Sequence, residues 1–184
     1  MNTVKLLARP KWIISFATVL FGFAPIVSAS PSDLCSLPQG LDSKITARSP
    51  GAHVVSLADL DDYDKKLYTK DHGAHCPGLV RVNFYGDGKP TWALVLLSGY
   101  GQTSKAELVV ARKLDTDWEI RSIHSLTSSG TPVVWREPAG KYEGVWGDKT
   151  IHARNPVIIF CAYESWAVVY AWNGKAVEEV QMSD

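Results

Sequence analysis

Two stretches of this 184-residue chain gather side chains that can do chemistry. In "HGAHC", residues 72–76, two imidazoles and a thiol lie within five positions: His72, His75 and Cys76. Nitrogen and thiolate ligands suit zinc or copper, which need three or four of them at one point. His124 or His152 would have to complete the set. Otherwise the segment is a polar loop with Cys76 oxidised in a disulfide. In "NFYGDGKPT", residues 83–91, oxygen-bearing side chains surround two glycines. That is either a cation-binding loop or the tight turn of a β-hairpin. Hydrolase signatures are missing: the chain has no G-x-S-x-G, no H-E-x-x-H, no C-x-x-C and no Gly-rich loop followed by Lys-Ser/Thr. Glu143 lies beside Tyr142 and Glu164 near Trp166, neighbours that can lift a carboxyl toward general-acid use. Such neighbours are equally common on plain surfaces. The serines around His124 in "SIHSLTSSG" would need triad geometry that only three dimensions can show.

Three cysteines, Cys35, Cys76 and Cys161, allow one bridge and leave one thiol over. Cys35–Cys76 is the expected pairing, because both flank irregular, Pro-rich segments where a staple helps most. Cys76–Cys161 is the alternative. Cys161 closes the apolar run "PVIIFC" and would otherwise behave as a small buried hydrophobe.

The compartment is written at the N-terminus. A basic start (Lys5, Arg9, Lys11), the apolar run "IISFATVLFGFAPIV" and the small residues "SAS" make a secretory signal peptide over residues 1–29. The apolar run is shorter than the roughly 20 residues of a spanning helix, and Pro25 interrupts it. Cleavage after Ala29 removes three of the 19 basic residues and none of the 19 acids, so the mature charge is about −3. With no basic run left, nucleic acid and anionic membrane are poor partners. A periplasmic or secreted protein is expected.

Residues 30–184 read as a single β-rich domain. Its first twenty residues, rich in Ser and Pro, form an irregular lead-in. "SLADLDDYDKKLY" follows, where Ser56 and Asp59 resemble a capping box, and one short helix over residues 57–68 is expected. From Leu79 onward, short β-branched or aromatic runs alternate with turn residues. Eight or nine short strands after one N-terminal helix give a mostly β protein, α+β at the margin. An antiparallel sheet or sandwich accommodates them, because the linking helices of βαβ units are missing.

Within that frame, residues 81–97, "RVNFYGDGKPTWALVLL", resemble one unit of FG-GAP or VCBS-type repeats, which read like "DxNGDGxxDLxV". The resemblance implies an exported β-rich protein and a calcium loop with ligands at Asn83, Tyr85, Asp87, the Lys89 carbonyl and Thr91. Only Asp87 among these carries a carboxylate, since Asn83 and Thr91 stand where the family has acids. Affinity falls with the number of charged ligands, so a hairpin with weak or vestigial calcium binding is expected. A single unit is too little for a propeller.

The C-terminal "SWAVVYAWNGKAVEEVQM" reads as a hairpin turning at Asn173-Gly174. A two-residue loop pairs Trp172 with Lys175 and Tyr170 with Val177. Trp166, Tyr170 and Trp172 then share one face and small residues share the other. If the small face is the core, the three rings form an exposed strip for a partner; otherwise they are core themselves. Taken together, these features point to an exported non-enzymatic domain that binds an envelope or secreted protein, as inhibitor or immunity-type proteins do, with no cofactor. A small hydrolase of cell-wall or extracellular polymer and a weak calcium-binding structural module are the alternatives.

Overall fold

The β-branched and aromatic runs from Leu79 onward become strands in the computed structural model, which describes residues 33–99, 104–127 and 130–183. The expected signal peptide, residues 1–29, lies outside them. In chain order the strands are β1 (His53–Val54), β2 (Leu79–Val82), β3 (Thr91–Ser98), β4 (Lys105–Leu114), β5 (Asp117–Thr127), β6 (Val133–Glu137), β7 (Gly140–Glu143), β8 (Thr150–Ala153), β9 (Val157–Ala162), β10 (Trp166–Trp172) and β11 (Val177–Ser183). Only the two-residue β1 and the four-residue β7 escape the sequence pattern, being too short to show a period.

All strand pairings among the described residues are antiparallel. One sheet runs β1-β3-β4-β5, with β2 also on β3; a second runs β11-β10-β9-β6; β7 and β8 form a separate hairpin. The inner faces of the two large sheets share the main core. Val95, Leu108 and Phe84 meet Ile158, Phe160 and Tyr170 there. The outer face of the second sheet buries Val157, Ile159 and Val169 beneath Ile151 and Tyr142 of the β7–β8 hairpin. Strand β9 is therefore buried on both faces, which is why "VIIFCA" reads as an unbroken apolar run.

Among the described residues, two α-helices precede this stack. α1 (Leu41–Arg48) forms inside the segment expected to be irregular. Its only buried residues, Leu41 and Ile45, stand one turn apart and cover Leu94, Leu96 and Val109 on the outer face of the first sheet. Two apolar positions are too few to display a period. α2 (Asp62–His72) starts five residues later than expected. Ser56 and Asp59 do bond to each other, with the Ser56 N–H and Oγ both donating to Asp59 Oδ2 at 2.7 and 2.8 Å. They close a turn ahead of the helix, and the true cap is Asp61, which accepts from the Asp64 N–H at 2.8 Å.

Candidate functional site

The end of α2 builds one wall of a cleft between the two large sheets. Tyr68 points inward from this helix and is 1% exposed, and its hydroxyl donates to the Cys76 carbonyl at 2.9 Å. His72, one turn further, lies between the rings of Tyr68 and Trp135, at centroid distances of 4.8 and 4.7 Å. Burial lowers the pKa of that imidazole, holding it toward the neutral form. The helix stops at Gly73, whose positive φ of 66° suits glycine and whose N–H donates to the Thr69 carbonyl.

Beyond the helix, Cys76 is disulfide-bonded to Cys35, with Cα atoms 5.0 Å apart, as expected. Pro77 and Gly78 then carry the chain between the sheets. The Pro77 carbonyl accepts from Val134 of β6 at 2.7 Å, and that of Gly78 from Val95 of β3 at 2.9 Å. A side chain on Gly78 would strike the Val55 backbone at 2.4 Å, so only glycine allows this approach. From this junction β2 and β6 diverge into their separate sheets. The wedge between them is a cleft of about 600 Å³, within the range of ordinary ligand sites.

Leu79, Val80 and Val134 make the apolar part of the cleft, and Trp135 adds an indole. Its polar part is mostly cationic or imidazole: His72, His75, Arg81 and Arg136 against one carboxylate, Glu137. Glu137 already accepts from Trp135 Nε1 at 3.0 Å. Arg136 Nη1 donates to the Arg81 carbonyl at 3.3 Å, and the Arg81 guanidinium lies 5.8 Å from the Trp92 ring centre. Among the described residues, neither arginine has a carboxylate partner. Both also line a second cleft of about 240 Å³ beside Asn83, whose buried Oδ1 has no hydrogen-bond partner.

The expected site residues fall elsewhere. The C-terminal hairpin closes through four residues, Asn173 to Ala176, so Trp172 pairs with Val177 and Tyr170 with Glu179. The expected two-residue loop is corrected by the Asn173 side chain, which accepts from the N–H groups of Lys175 and Ala176 at 2.9 Å. A shift of two preserves the faces. The aromatic face is the core face, however. Tyr170 is 1% exposed and hydrogen-bonded to His124 Nδ1 at 2.8 Å, while Trp166 and Trp172 pack half-buried on the same core. The exposed strip of the sequence reading is thus corrected: the small face lies under the β7–β8 hairpin and both faces are covered.

At the loop between β2 and β3, Gly86 and Gly88 hold φ of 73° and 76°, as a glycine turn requires. Asp87 Oδ1 accepts from the Lys89 N–H at 2.9 Å, and Thr91 is buried at the start of β3. Among the described residues no three His, Cys, Asp or Glu side chains converge as a metal site would need. Cys76 is oxidised and His124 is engaged with Tyr170, so the structure does not join them to His72 and His75. Glu143 pairs with Lys141 at 2.7 Å, and Glu164 accepts from the Tyr63 hydroxyl at 2.5 Å. Sequence reasoning passed over Arg81, Trp135 and Arg136. Their signal was a charge set inside an otherwise apolar strand, "LVRV" and "VVWRE".

Comparison with family models, curated proteins and solved structures finds no significant match.

Proposed function

We propose that this chain is an exported, non-enzymatic binding domain for an envelope or secreted protein, and that the β2/β6 cleft is its binding site. The observation that carries this reading is the composition of the cleft. An apolar wall and an indole adjoin two arginines without carboxylate partners, the pattern of anchor residues in protein interfaces. Among the described residues no serine or threonine lines it, its one cysteine is oxidised and the buried Tyr68 hydroxyl is engaged with the Cys76 carbonyl, so no hydroxyl or thiol nucleophile there is offered to the imidazoles. Export is supported by the signal-like N-terminus and by the Cys35–Cys76 bridge, which persists in oxidising compartments. The FG-GAP-like turn supports the same compartment, with calcium at most a weak ligand there.

Site-specific photo-crosslinking tests the site without altering its charge. A photoreactive residue at His75, exposed at the cleft rim, should trap one protein in the native envelope or medium. The same residue at Lys113, on the surface of β4 and outside the cleft, should not. Equal trapping from both positions, or none from His75, overturns the reading. Turnover of peptidoglycan or glycans at catalytic rates by the purified protein overturns its non-enzymatic part.

A further inference from the structure

We infer that the β2/β6 cleft takes an extended acidic segment of the partner, which adds as a strand to a free sheet edge while its carboxylate meets Arg81 and Arg136. This rests on the protein-binding reading above and goes further, to the chemistry recognised.

The backbone supplies the first half. In an antiparallel ladder, alternate residues bond to the neighbouring strand and the others point away. The bond from Val95 to the Gly78 carbonyl fixes that phase in the register Val80–Ala93 and Arg81–Trp92. Gly78, Val80 and Val82 therefore face β3, and the peptide groups of Leu79 and Arg81 face away from it. On β6 the Val134 N–H leaves the sheet for Pro77, which puts Val134 and Arg136 in the outward phase. β6 is also the last strand of its sheet. Past the Pro77 junction, two strand edges with outward amides and carbonyls therefore border the wedge; of these groups the Arg81 carbonyl accepts from the Arg136 side chain. An unpaired strand edge is a template for an added strand, and extended peptides use it in this way.

The side chains supply the second half. A guanidinium prefers a planar oxyanion that can accept from two N–H groups at once. The Arg81 and Arg136 pair lies at the boundary of the two clefts and faces one carboxylate, which the Trp135 indole already occupies. An acidic side chain is what this boundary lacks. Alternate residues of a strand point to the same side, as Leu79 and Arg81 do on β2, so an apolar residue two positions from the acid would rest on Leu79. A free small carboxylate would satisfy the arginines and leave the strand edges unused. The outward peptide groups on both walls are the reason to assign a peptide.

An array of random eight-residue peptides, probed with the purified disulfide-intact protein, tests this. Bound peptides should be enriched in Asp or Glu at one position, with apolar residues two positions away. The strongest of them, resynthesised, should lose at least tenfold in affinity on Arg136→Gln and on N-methylation of alternate amides. Arg136 is exposed, so an unchanged melting temperature will certify the variant. A bound set without acidic enrichment overturns the inference, as does a best peptide indifferent to both changes. Displacement by glutarate at the peptide's own affinity also overturns it, by reducing the site to one for small carboxylates. Crosslinking from His75 that survives any of these failures leaves the protein-binding reading standing, so the two can fail separately.

Discussion

At the scale of single residues, burial decides which titratable groups respond to pH. His72 is held between two rings, and its pKa is lowered mainly by desolvation, against opposing pulls from Asp71 and Glu137. An unfolded His titrates near 6.5. Below that pH the unfolded chain gains a proton that the native state resists, so stability falls from about pH 6.5 down to the native pKa. His72→Phe keeps a ring in the stack and removes the titration. Its unfolding free energy should be flatter than wild type between about pH 7 and 5 by urea denaturation. A variant that retains the wild-type slope there would assign the loss to other groups. Cys161 is the second case. Burial raises its thiol pKa to about 11, so almost no nucleophilic thiolate exists at neutral pH. Iodoacetamide should label no cysteine in the native protein and one, Cys161, after unfolding without reductant. Label on native Cys35 or Cys76 would show the bridge to be open.

At the scale of elements, the C-terminal hairpin shows what a sequence can and cannot convey. Strand positions, antiparallel pairing and the two-faced distribution of rings and small residues were all legible in "WAVVYAWNGKAVEEV". Which face turns inward was not, because both are apolar enough to bury. A separate element, the β7–β8 hairpin, covers the small face. The disulfide followed from the irregular segments that it ties. The cleft stayed hidden because its walls come from α2, β2 and β6, whose meeting depends on how two sheets splay. Tyr170 measures the hairpin's true orientation. Tyr170→Ala should cost about 3–5 kcal/mol, as large buried rings do, whereas Tyr170→Phe should cost only about 1 kcal/mol for the bond to His124. Chemical denaturation checks both, and a nearly neutral Tyr170→Ala would return the strip to the surface. The β2–β3 turn carries its own expectation. With Asp87 bonded to the Lys89 amide and no second carboxylate among the proposed ligands, micromolar calcium should leave the melting temperature unchanged. A stoichiometric heat of binding at micromolar calcium would reinstate the ion.

At the scale of the whole molecule, the disulfide divides the fold in two. The Cys35–Cys76 bridge spans 41 positions, and α1, β1 and α2 all lie within that loop, while β2 through β11 follow it. The helical part is also the less well buried: α1 sets only Leu41 and Ile45 into its sheet, and α2 only Tyr68. The sheets share the main core and the second packs its outer face under β7–β8, while α1 covers only the outer face of the first. Opening the bridge therefore frees the part of the chain least able to hold itself. The entropy of closing a loop of this length corresponds to about 4 kcal/mol. For a domain of this size each kcal/mol moves the melting temperature by roughly 2–4 °C, so reduction should lower it by roughly 8–16 °C. Amide exchange should quicken in α1 and α2 before the central strands, because the core between the two sheets is built mostly from strands outside the bridged loop. Since α2 and Cys76 form one wall of the cleft, reduced protein should also lose partner crosslinking from His75. Melting and hydrogen exchange of oxidised protein beside a Cys35→Ser, Cys76→Ser double variant will decide it. Equal melting temperatures would mean that the sheets alone set stability. The bridge would then no longer argue for an oxidising compartment.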